Sequence, residues 1–315
     1  MRCNTSAGNA AGVADALIAA ELAGQSGHGL RRVESYALQA ASGKIDGHAV
    51  PSSSSGMAAI LKVDAANGFA YPALDLANTG LKEIVEQNGI GLAGISRSHH
   101  CGVMGVIVEK FAHDGLVALM FANTPAAMAP WGGNKALFGT NPIAFAAPQA
   151  SGDPIIIDVS LSKVARGKIM AANQQGKSIP DDWAFDDQGQ PTTDPTAALG
   201  GTMAPLGDAK GTALALMVEL LAAGLTGSNY ASEASSFFEA EGDAPGVGQT
   251  IIAIDPHKVG GAGTLDRFAA LATMISNQPG ARVPGERRAQ TRKKMMVDGI
   301  EIESDLMATI ESVGR

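Results

Sequence analysis

The chain has 315 residues, a formal net charge of −8 at pH 7, 45% hydrophobic residues and 17% charged residues. This length corresponds to about two domains of ordinary size, and the hydrophobic content excludes a disordered chain or a coiled coil. The negative charge and the aromatic content of only 4% argue against nucleic acid or an anionic membrane surface as a partner.

The cysteines and the N-terminal segment indicate the cellular compartment. Cys3 and Cys101 are too few for a disulfide framework in a chain of this size. No apolar run reaches the ~18 residues of a membrane-spanning helix, and Asp15 and Glu21 interrupt the apolar stretch that a signal peptide would need. We therefore expect a soluble protein of the reducing cytoplasm.

Hydrophobic periodicity predicts alternating helices and strands in the first part of the chain. Amphipathic helices are expected over residues 8–25, 30–42 and 74–88, with a strand over residues 57–63. Gly43 is a natural stop for the second helix.

Residues 89–94 read Gly-Ile-Gly-Leu-Ala-Gly and match the dinucleotide-binding pattern G-x-G-x-x-G. That pattern binds a pyrophosphate only where a strand turns into a helix, because the phosphate then meets the helix N-terminus. Here a helix precedes the glycines and a strand follows them, and no acidic ribose ligand appears ~20 residues further on. The segment is therefore interpreted as a turn from a helix into a strand.

The rest of the chain continues the alternation of helices and strands, which is typical of an α/β enzyme. We predict helices over residues 103–113, 162–174 and 211–224, strands over 116–121, 154–159 and 250–254, turn-rich segments over 180–201 and 230–249, and a final pair of helices separated by 282–288. Residues 211–224 are apolar on nearly every side, so we expect that helix to be buried.

His28 is the most suggestive candidate for a catalytic side chain. It lies between Gly27 and Gly29 at a helix junction, with Arg31 and Arg32 shortly after it. Glycines permit a tight turn and the close approach of a ligand, and a guanidinium can hold a carboxylate through two hydrogen bonds. A histidine proton donor beside an arginine suits reduction of a 2-oxo acid, although the spacing fits a capping histidine with solvated arginines equally well.

The adjacent residues His99 and His100 raise the question of a metal site. Adjacent residues on a regular element point to different sides, so they chelate poorly, and no H-x-x-x-H or C-x-x-C pattern supports them. We predict no metal. The glycine-containing turn into the helix from Val103 is better suited to a phosphate at a helix N-terminus.

Basic side chains elsewhere in the chain are either surface charges or candidates for binding phosphate. Lys168 reads as a surface charge, and Lys210 precedes an apolar helix where it could meet a phosphate. A basic cluster near the C-terminus is either a solvated face or a binding site for a cofactor 2′-phosphate; it contains Arg282, Arg287, Arg288, Arg292, Lys293 and Lys294. The sequence contains neither a G-x-S-x-G nucleophile elbow nor a P-loop lysine motif, which disfavours hydrolases and NTPases.

Eight short motifs, taken together and in order, carry a family resemblance. They are Gly-His-Gly-Leu-Arg-Arg (27–32), Ser-His-His-Cys-Gly (98–102), Ala-Pro-Trp-Gly-Gly (129–133), Leu-Phe-Gly-Thr-Asn-Pro (137–142), Val-Ala-Arg-Gly-Lys (164–168), Pro-Thr-Thr-Asp-Pro (191–195), Ala-Lys-Gly (209–211) and Pro-Gly-Glu-Arg-Arg (284–288). Along nearly its whole length the chain resembles the type 2 malate/L-lactate dehydrogenase family, which includes sulfolactate dehydrogenases, ureidoglycolate dehydrogenases and Δ1-piperideine-2-carboxylate reductases.

The resemblance implies a non-Rossmann nicotinamide-binding fold of the α/β class, with a mixed or antiparallel sheet flanked by helices. It also implies a homodimer. A cofactor domain is expected over residues 96–235, and a helical region for substrate binding and dimerisation is expected from residues 1–95 together with 236–315. The implied activity is hydride transfer between NAD(P)H and C2 of a small 2-oxo or 2-hydroxy acid.

The resemblance also implies roles for individual residues. His28 would donate the proton, Arg32 would bind the substrate carboxylate, and Thr140 and Lys168 would contribute to the substrate pocket. The residues expected to line the cofactor are His100, Cys101, Gly102, Val103, Met104, Asp158, Val159, Ser160, Lys210, Arg282, Pro284, Gly285, Arg287 and Arg288. The three arginines among them favour NADP over NAD, because they can pair with its additional phosphate.

Two departures from the family pattern bear on the reaction. The family usually has Ser before the histidine, whereas this chain has Gly27, so a hydroxyl relay is lost or comes from another residue such as Ser26. The cyclic imino acid reductases are expected to carry an acidic residue where this chain has Lys168. A cationic pocket wall suits a dianion such as malate or sulfolactate better than a monoanionic cyclic imine.

Three functions remain open at this point. The favoured one is a dehydrogenase for sulfolactate or malate, and the alternative is an NADPH-dependent reductase of cyclic imino acids. The third is a nucleotide-binding or scaffold protein that has lost catalysis with the change to Gly27.

Overall fold

The computed structural model describes residues 3–314 of the chain. The helices are α1 (Ala7–Leu22), α2 (Val33–Ser42), α3 (Ala70–Asn88), α4 (Met104–His113), α5 (Arg166–Gln174), α6 (Pro195–Gly200), α7 (Ala209–Glu219), α8 (Pro256–Gly260), α9 (Thr264–Ser276), α10 (Glu286–Asp298) and α11 (Ser304–Gly314). The strands are β1 (Ser52–Met57), β2 (Ile60–Asp64), β3 (Ile90–Ser98), β4 (Val117–Ala122), β5 (Ile143–Ala147), β6 (Ile155–Val159), β7 (Ala184–Phe185), β8 (Thr202–Met203) and β9 (Val247–Ile254). Two 3₁₀ turns, Ser26–His28 and Leu30–Arg32, precede α2, and a π-helical turn over Leu220–Gly224 continues α7.

Seven strands form one sheet in the order β1-β2-β3-β9-β4-β5-β6. β2 and β3 are parallel, and the other neighbouring pairs of this sheet are antiparallel. β9 comes late in the chain but lies between β3 and β4, so the sheet joins the two regions that the resemblance assigns to different domains. The mixed sheet flanked by helices is confirmed, while the division into domains stays a prediction.

The core has two clusters, because successive side chains of a strand point to opposite faces of the sheet. In β9, Ile251 is fully buried in the cluster that includes α3 and α4, whereas Ile252 packs against the cluster that includes α5, α6 and α7. Tyr36 of α2 belongs to the first cluster, which brings α2 to the end of β3. Within residues 3–314 no helix is both long enough and apolar enough to cross a membrane.

The rejected dinucleotide pattern is a turn from a helix into a strand, as predicted. Gly89 ends α3 with a φ of +80°, a left-handed conformation that favours glycine. Its amide donates to the carbonyl of Val85 at 2.8 Å, and β3 begins at the next residue. No helix N-terminus is therefore available at residues 89–94 to meet a pyrophosphate.

Several elements differ from the prediction, among them α3, which begins at Ala70 instead of residue 74, and β9, which begins at Val247 instead of residue 250. The strand predicted over 57–63 is the second arm of a hairpin, because the chain turns at residues 58–59 between β1 and β2. The helix predicted from residue 162 begins at Arg166, because the amide of Lys163 pairs with the carbonyl of Ala204 instead. The predicted final pair of helices is followed by a further helix, α11.

The expectation that residues 211–224 are buried is wrong for one side of that helix. Ala215, Val218 and Ala222 are fully buried against the second core cluster. Leu216 and Leu220 on the other side are 46% and 53% exposed. When an apolar helix lies at the edge of a domain, its own chain buries only one of its faces. The apolar pattern of the sequence does not distinguish a face buried in the core from a face that is exposed.

Candidate active site

The loop that carries His28 is fixed by a buried carboxylate. Glu21, near the end of α1, accepts from the amide of Leu30 at 2.7 Å and from the hydroxyl of Ser26 at 2.8 Å. A Cβ on Gly29 would lie 2.3 Å from Glu21 Oε1, so this position requires glycine. Because the Ser26 hydroxyl is engaged by Glu21, it does not replace the missing serine hydroxyl at residue 27.

His28 pairs with a second imidazole. Its Nδ1 lies 3.0 Å from Nε2 of His100, and the two rings are nearly parallel with centroids 5.1 Å apart. On the far side, His100 Nδ1 lies 2.5 Å from the hydroxyl of Tyr36, which in turn lies 3.2 Å from the hydroxyl of Tyr71. A continuous chain of hydrogen bonds therefore runs from the surface loop at His28 into the core.

The two adjacent histidines have separate partners. His99 is buried, its Nε2 pairs with Gln39 Oε1 at 2.8 Å, and its carbonyl accepts from Gln249 Nε2 at 3.1 Å. His100 instead faces His28 and Tyr36, so the pair does not converge on one ligand. Across residues 3–314 no group of three or more His, Cys, Asp or Glu side chains is placed to hold a metal ion.

Arg32 lies beside His28 with its guanidinium oriented by neutral groups. Its Nε donates to the carbonyl of Gly27 at 2.9 Å, and its Cζ lies 4.6 Å from the ring centroid of Phe238. No carboxylate in the part of the chain that the structure describes forms an ion pair with it. The terminal guanidinium nitrogens are therefore available to bind an anion.

The loop that presents Phe238 is held by a buried lysine. Lys44 is 2% exposed, and its ammonium donates to the carbonyls of Ser236, Glu239 and Glu241 at 2.7, 3.0 and 3.1 Å. The same loop places Phe237 against His99 and His100. Sequence reasoning missed Lys44, because its partners are backbone carbonyls almost 200 residues away and leave no side-chain motif.

Burial and positive charge keep the imidazole pair neutral. Desolvation, followed by the charge of Arg32, lowers the pKa of His28 to about 4, and Asp158 opposes this shift. Desolvation and the same arginine also hold the pKa of His100 well below its ordinary value. Burial raises the pKa of Tyr36 to about 12, so its hydroxyl keeps its hydrogen at neutral pH.

Asp158 connects two of the segments expected to bind the cofactor. Its Oδ2 accepts from the amide of Gly105 at 2.8 Å and from Nη2 of Arg288 at 3.1 Å. One amide of the α4 N-terminus is therefore already occupied by a carboxylate, a favourable place for negative charge. A phosphate at this helix N-terminus would have to bind the other amides. Arg288 is engaged by Asp158 through Nη2, and its part in cofactor binding stays a prediction.

The segment 282–288 lies against β6. The carbonyl of Pro284 accepts from the amide of Ile156 at 3.1 Å, and Gly285 has a φ of +100° beside the same residue. Arg282 and Arg287 are exposed. The structure thus brings together residues 100–104, 158–160 and 282–288, whereas the exposed Lys210 has no side-chain hydrogen bond or ion pair to these segments within residues 3–314.

A nicotinamide dinucleotide with a 2′-phosphate fits the chemistry of these segments. Nη1 of Arg288 is buried without a hydrogen-bond partner, and two further guanidinium groups, those of Arg282 and Arg287, lie exposed on the same segment. Unpartnered and exposed guanidinium groups are suitable donors to phosphate oxygens.

Thr140 is held between the segment that follows β6 and the segment that follows β4. Its carbonyl accepts from the amide of Leu161 at 2.8 Å, and its own amide donates to Thr124 Oγ1 at 2.9 Å. The following residue, Asn141, has a positive φ of +38° and is held by Glu219, whose Oε2 accepts from its side-chain amide at 2.7 Å. Glu219 carries no motif and was missed by sequence reasoning.

Lys168 lies on α5 at an exposed position. Its Nζ is 5.9 Å from the ring centroid of Trp183, and no hydrogen bond or ion pair in the described part of the chain joins it to His28 or Arg32. The proposed role of Lys168 in the substrate pocket remains a prediction.

A paired imidazole beside an arginine with free guanidinium nitrogens is a site for acid–base chemistry on a small anionic substrate. On this fold, next to segments that suit a nucleotide, such a site defines an oxidoreductase. The chain belongs to the malate/L-lactate dehydrogenase family, whose model matches residues 1–311. The resemblance inferred from the eight motifs is therefore confirmed.

Curated relatives and solved structures support this membership. A (2R)-3-sulfolactate dehydrogenase (NADP(+)) of Chromohalobacter salexigens is 49% identical over 89% of this chain and 84% of its own. A Δ1-pyrroline-2-carboxylate/Δ1-piperideine-2-carboxylate reductase of Pseudomonas syringae pv. tomato is 40% identical over 96% of this chain and 89% of its own. The crystal structure of Δ1-piperideine-2-carboxylate reductase from that organism has a TM-score of 0.94 at 38% identity, covering 99% of this chain and 94% of the other. Sulfolactate dehydrogenase from Methanocaldococcus jannaschii has a TM-score of 0.89 at 28% identity, covering 99% and 91%.

Proposed function

We propose that the protein is an NADP-dependent dehydrogenase that transfers a hydride between the nicotinamide and C2 of a small anionic 2-oxo or 2-hydroxy acid of the sulfolactate or malate type. The observation that carries this proposal is the placement of His28 beside Arg32, whose guanidinium has no carboxylate partner among residues 3–314. Relatives named as sulfolactate dehydrogenase and as cyclic imino acid reductases support the reaction class.

In this proposal the chain supplies a proton, an anion clamp and orientation. When bound, the reduced cofactor supplies the hydride. Arg32 binds the substrate carboxylate and so fixes C2 near His28. His28 gives its Nε2 proton to the oxygen on C2 during reduction and takes it back during oxidation.

The cofactor is proposed to lie along the segments that the structure brings together. The turn into α4 consists of His100, Cys101, Gly102, Val103 and Met104. Beside it, β6 ends with Asp158 and Val159, and Ser160 follows. Arg282, Arg287 and Arg288 favour the 2′-phosphate of NADP, and the NADP(+) in the name of the relative from Chromohalobacter salexigens points the same way. NAD remains the second cofactor to assay.

The chief alternative substrate is a cyclic imino acid. It is favoured by the relatives from Pseudomonas, which are named as pyrroline- and piperideine-2-carboxylate reductases. The 2-oxo acid is preferred because the sulfolactate relative has the higher identity of 49% and because Lys168 supplies a positive charge that a second anionic group would use.

Assays of NADPH and NADH oxidation with sulfopyruvate, oxaloacetate and Δ1-piperideine-2-carboxylate test the proposal. Turnover of a 2-oxo acid with NADPH is expected, and preference for the imine would identify the alternative. His28→Ala should lower kcat by roughly 10²–10⁴-fold with little change in NADPH affinity. Tight NADPH binding without turnover of any substrate would instead support a binding protein that has lost catalysis.

We also propose that the protein is a cytoplasmic homodimer. Support for a dimer comes from the apolar strip of α7 and the π-helical turn, where Leu214, Leu216, Met217 and Leu220 are exposed. The cytoplasm is supported by Cys3 and Cys101, which are both free. Analytical ultracentrifugation of the protein and of Leu216→Glu tests the dimer: a dimer that the substitution converts to monomer is expected, whereas a monomeric parent protein excludes it.

A further inference from the structure

The hydroxyl that the family pattern places before the catalytic histidine is missing from this chain. Residue 27 is glycine, and the neighbouring hydroxyl of Ser26 donates to Glu21. The hydroxyl that does reach the imidazole pair is that of Tyr36, 2.5 Å from His100 Nδ1. It comes from α2, on the side of the pair that faces the core.

We infer that Tyr36 is a positioning residue for the proposed proton donor, because its hydroxyl accepts from His100 Nδ1–H and thereby frees His100 Nε2 to accept from His28 Nδ1–H. This inference rests on the proposed function. Tyr36 and His100 together act as the hydrogen-bond acceptor that orients His28. Such an acceptor holds the imidazolium in place and stabilises its charge.

Counting hydrogens shows why the hydroxyl matters. A charged His28 carries hydrogens on both ring nitrogens, so His100 Nε2 must be bare in order to accept from His28 Nδ1. A neutral His100 then has its only hydrogen on Nδ1, and that hydrogen needs an acceptor because His100 is buried. Tyr36 Oη is the acceptor within reach.

The same hydroxyl also permits the neutral state. Tyr71 is buried, and within residues 3–314 the hydrogen-bond partner of its hydroxyl is Tyr36. When neutral His28 carries its hydrogen on Nε2, Tyr71 donates to Tyr36, Tyr36 donates to His100 Nδ1, and His100 Nε2–H donates to His28 Nδ1. A tyrosine hydroxyl serves both arrangements because it both donates and accepts.

The proton transfer balances within the pair and the substrate. The Nε2 proton of the His28 imidazolium would pass to the oxygen on C2, a bound reduced cofactor would supply the hydride to the carbon, and neutral His28 would keep its hydrogen on Nδ1, which donates to His100 Nε2. In the reverse direction, His28 Nε2 takes the proton from the hydroxyl of the 2-hydroxy acid. No charge moves onto Tyr36, whose burial keeps its hydroxyl protonated with a pKa of about 12.

The other titratable and charged groups around the pair act on it from several elements. They are Arg32 and Glu21 on the loop and α1, Asp158 on β6, His99 and Cys101 on the segment after β3, and Tyr71 on α3. Tyr36→Phe leaves all of these in place and removes only the hydroxyl.

Loss of the Tyr36 hydroxyl would disfavour the charged form of His28. With phenylalanine at residue 36, a hydrogen on His100 Nδ1 would be buried without an acceptor, so His100 would keep its hydrogen on Nε2 and could not accept from His28. For the whole protein carrying Tyr36→Phe we expect reductive kcat at neutral pH to fall about 10–100-fold. The pH midpoint of kcat should move to lower pH by about one unit for a tenfold effect, while KM for the 2-oxo acid stays unchanged.

The control is Tyr230→Phe, which removes a hydroxyl from a residue that is 41% exposed and should leave kcat and its pH profile unchanged. Tyr36→Phe with an unaltered pH profile and unaltered kcat, in protein that retains its native circular dichroism, would overturn the inference. An equal rise in KM and fall in kcat without a shift of the pH midpoint would indicate a purely structural role and would overturn it as well.

A second measurement is independent of turnover and of the variant. In ¹⁵N NMR of the unmodified protein, we expect the hydrogen of His100 on Nδ1 once His28 is charged. A His100 hydrogen on Nε2 while His28 is charged would overturn the inference even if no substrate were turned over. Absence of turnover by the unmodified protein with every substrate tested would instead count against the proposed function.

Discussion

Arg288 and Asp158 form a largely buried ion pair directly over the first turn of α4, with Nη2 and Oδ2 3.1 Å apart and the two side chains 12% and 16% exposed. The guanidinium occupies the space beside Gly105, where a Cβ would lie 1.8 Å from Nη1. The pair joins α10 to β6 and to the start of α4. It therefore fixes the relative positions of three segments that we propose for cofactor binding.

Gly105→Ala tests how tightly this arrangement is packed. The new methyl group must displace the buried guanidinium, so we expect a loss of roughly 1–3 kcal/mol in the free energy of unfolding. Urea denaturation measures it. Gly12→Ala is the matched control, because it lies within α1 with no atom within 4 Å of the new Cβ and should be neutral or stabilising by up to about 1 kcal/mol. Equal stabilities of the two variants would contradict the packing described for Arg288.

Arg32→Ala should weaken substrate binding more than it slows the chemical step. Two hydrogen bonds to a charged carboxylate stabilise a complex by about 3 kcal/mol, so KM for the 2-oxo acid should rise roughly 100-fold, while the dissociation constant of NADPH stays unchanged. Steady-state kinetics and fluorescence titration separate these quantities.

Arg31→Ala is the control for that experiment. Arg31 is next to Arg32 in sequence, but it pairs with Glu303 at the surface, where both side chains are more than half exposed. Such a pair contributes little to stability. A rise in KM that is equal in the two variants would show that the net positive charge of the loop, rather than the position of Arg32, attracts the substrate.

The buried histidines predict a loss of stability on mild acidification. Desolvation lowers the pKa of His99 to about 3, whereas an unfolded histidine titrates near 6.5. As the pH falls below about 6.5 the unfolded chain takes up a proton that the folded chain does not, so the free energy of unfolding decreases. Between about pH 6.5 and the folded pKa, each such histidine can contribute up to about 1.4 kcal/mol per pH unit.

Urea denaturation at about pH 7.5 and about pH 5 measures this dependence. His99→Gln removes the buried imidazole and should reduce the difference in the free energy of unfolding between the two pH values. His48→Gln, at an exposed position, should leave that difference unchanged. A pH dependence that is the same in both variants would mean that His99 takes up its proton in the folded state at the same pH as in the unfolded chain.

The amino-acid sequence predicts the elements and the loop of His28 well because both depend on local features. Gly89 and Gly43 end helices through left-handed conformations, and such glycine caps are visible in the sequence. The central position of β9 could not be predicted, because its partners β3 and β4 are far away along the chain. The fold class was predicted from the family resemblance, because hydrophobic periodicity alone does not determine the order of strands in a sheet.

The polar network behind the site was not predictable from motifs. Tyr36 and His100 are 64 residues apart and meet because α2 packs on the end of β3. The basic cluster near the C-terminus could be interpreted from the sequence as a solvated face or as a phosphate-binding site, and its members differ in their surroundings. Arg288 is buried on Asp158 and Arg292 pairs with Glu109, whereas Arg287 is exposed. Charge patterning shows where cations lie along the chain but not which carboxylates face them.

Glu219 is the buried carboxylate that holds the loop of Thr140, and its removal should affect both stability and substrate binding. It accepts from the side-chain amides of Asn141 and Asn123 at 2.7 and 3.2 Å and from the amide of Ala231, and burial raises its pKa. Glu219→Ala leaves these buried donors without their acceptor, so we expect a loss of about 2–4 kcal/mol in the free energy of unfolding.

Glu219 holds the side chain of Asn141, whose positive φ sets the backbone next to Thr140. Protein that carries Glu219→Ala and still folds should therefore also have a higher KM for the 2-oxo acid, with unchanged affinity for NADPH. Glu83→Gln, which neutralises an exposed carboxylate on α3, controls for the change in net charge and should match the unmodified protein in both respects. A Glu219→Ala protein that is destabilised but keeps its original KM would show that the loop around Thr140 is held by Thr124 instead, whose hydroxyl accepts from the Thr140 amide. Thr124→Val would then be expected to raise KM.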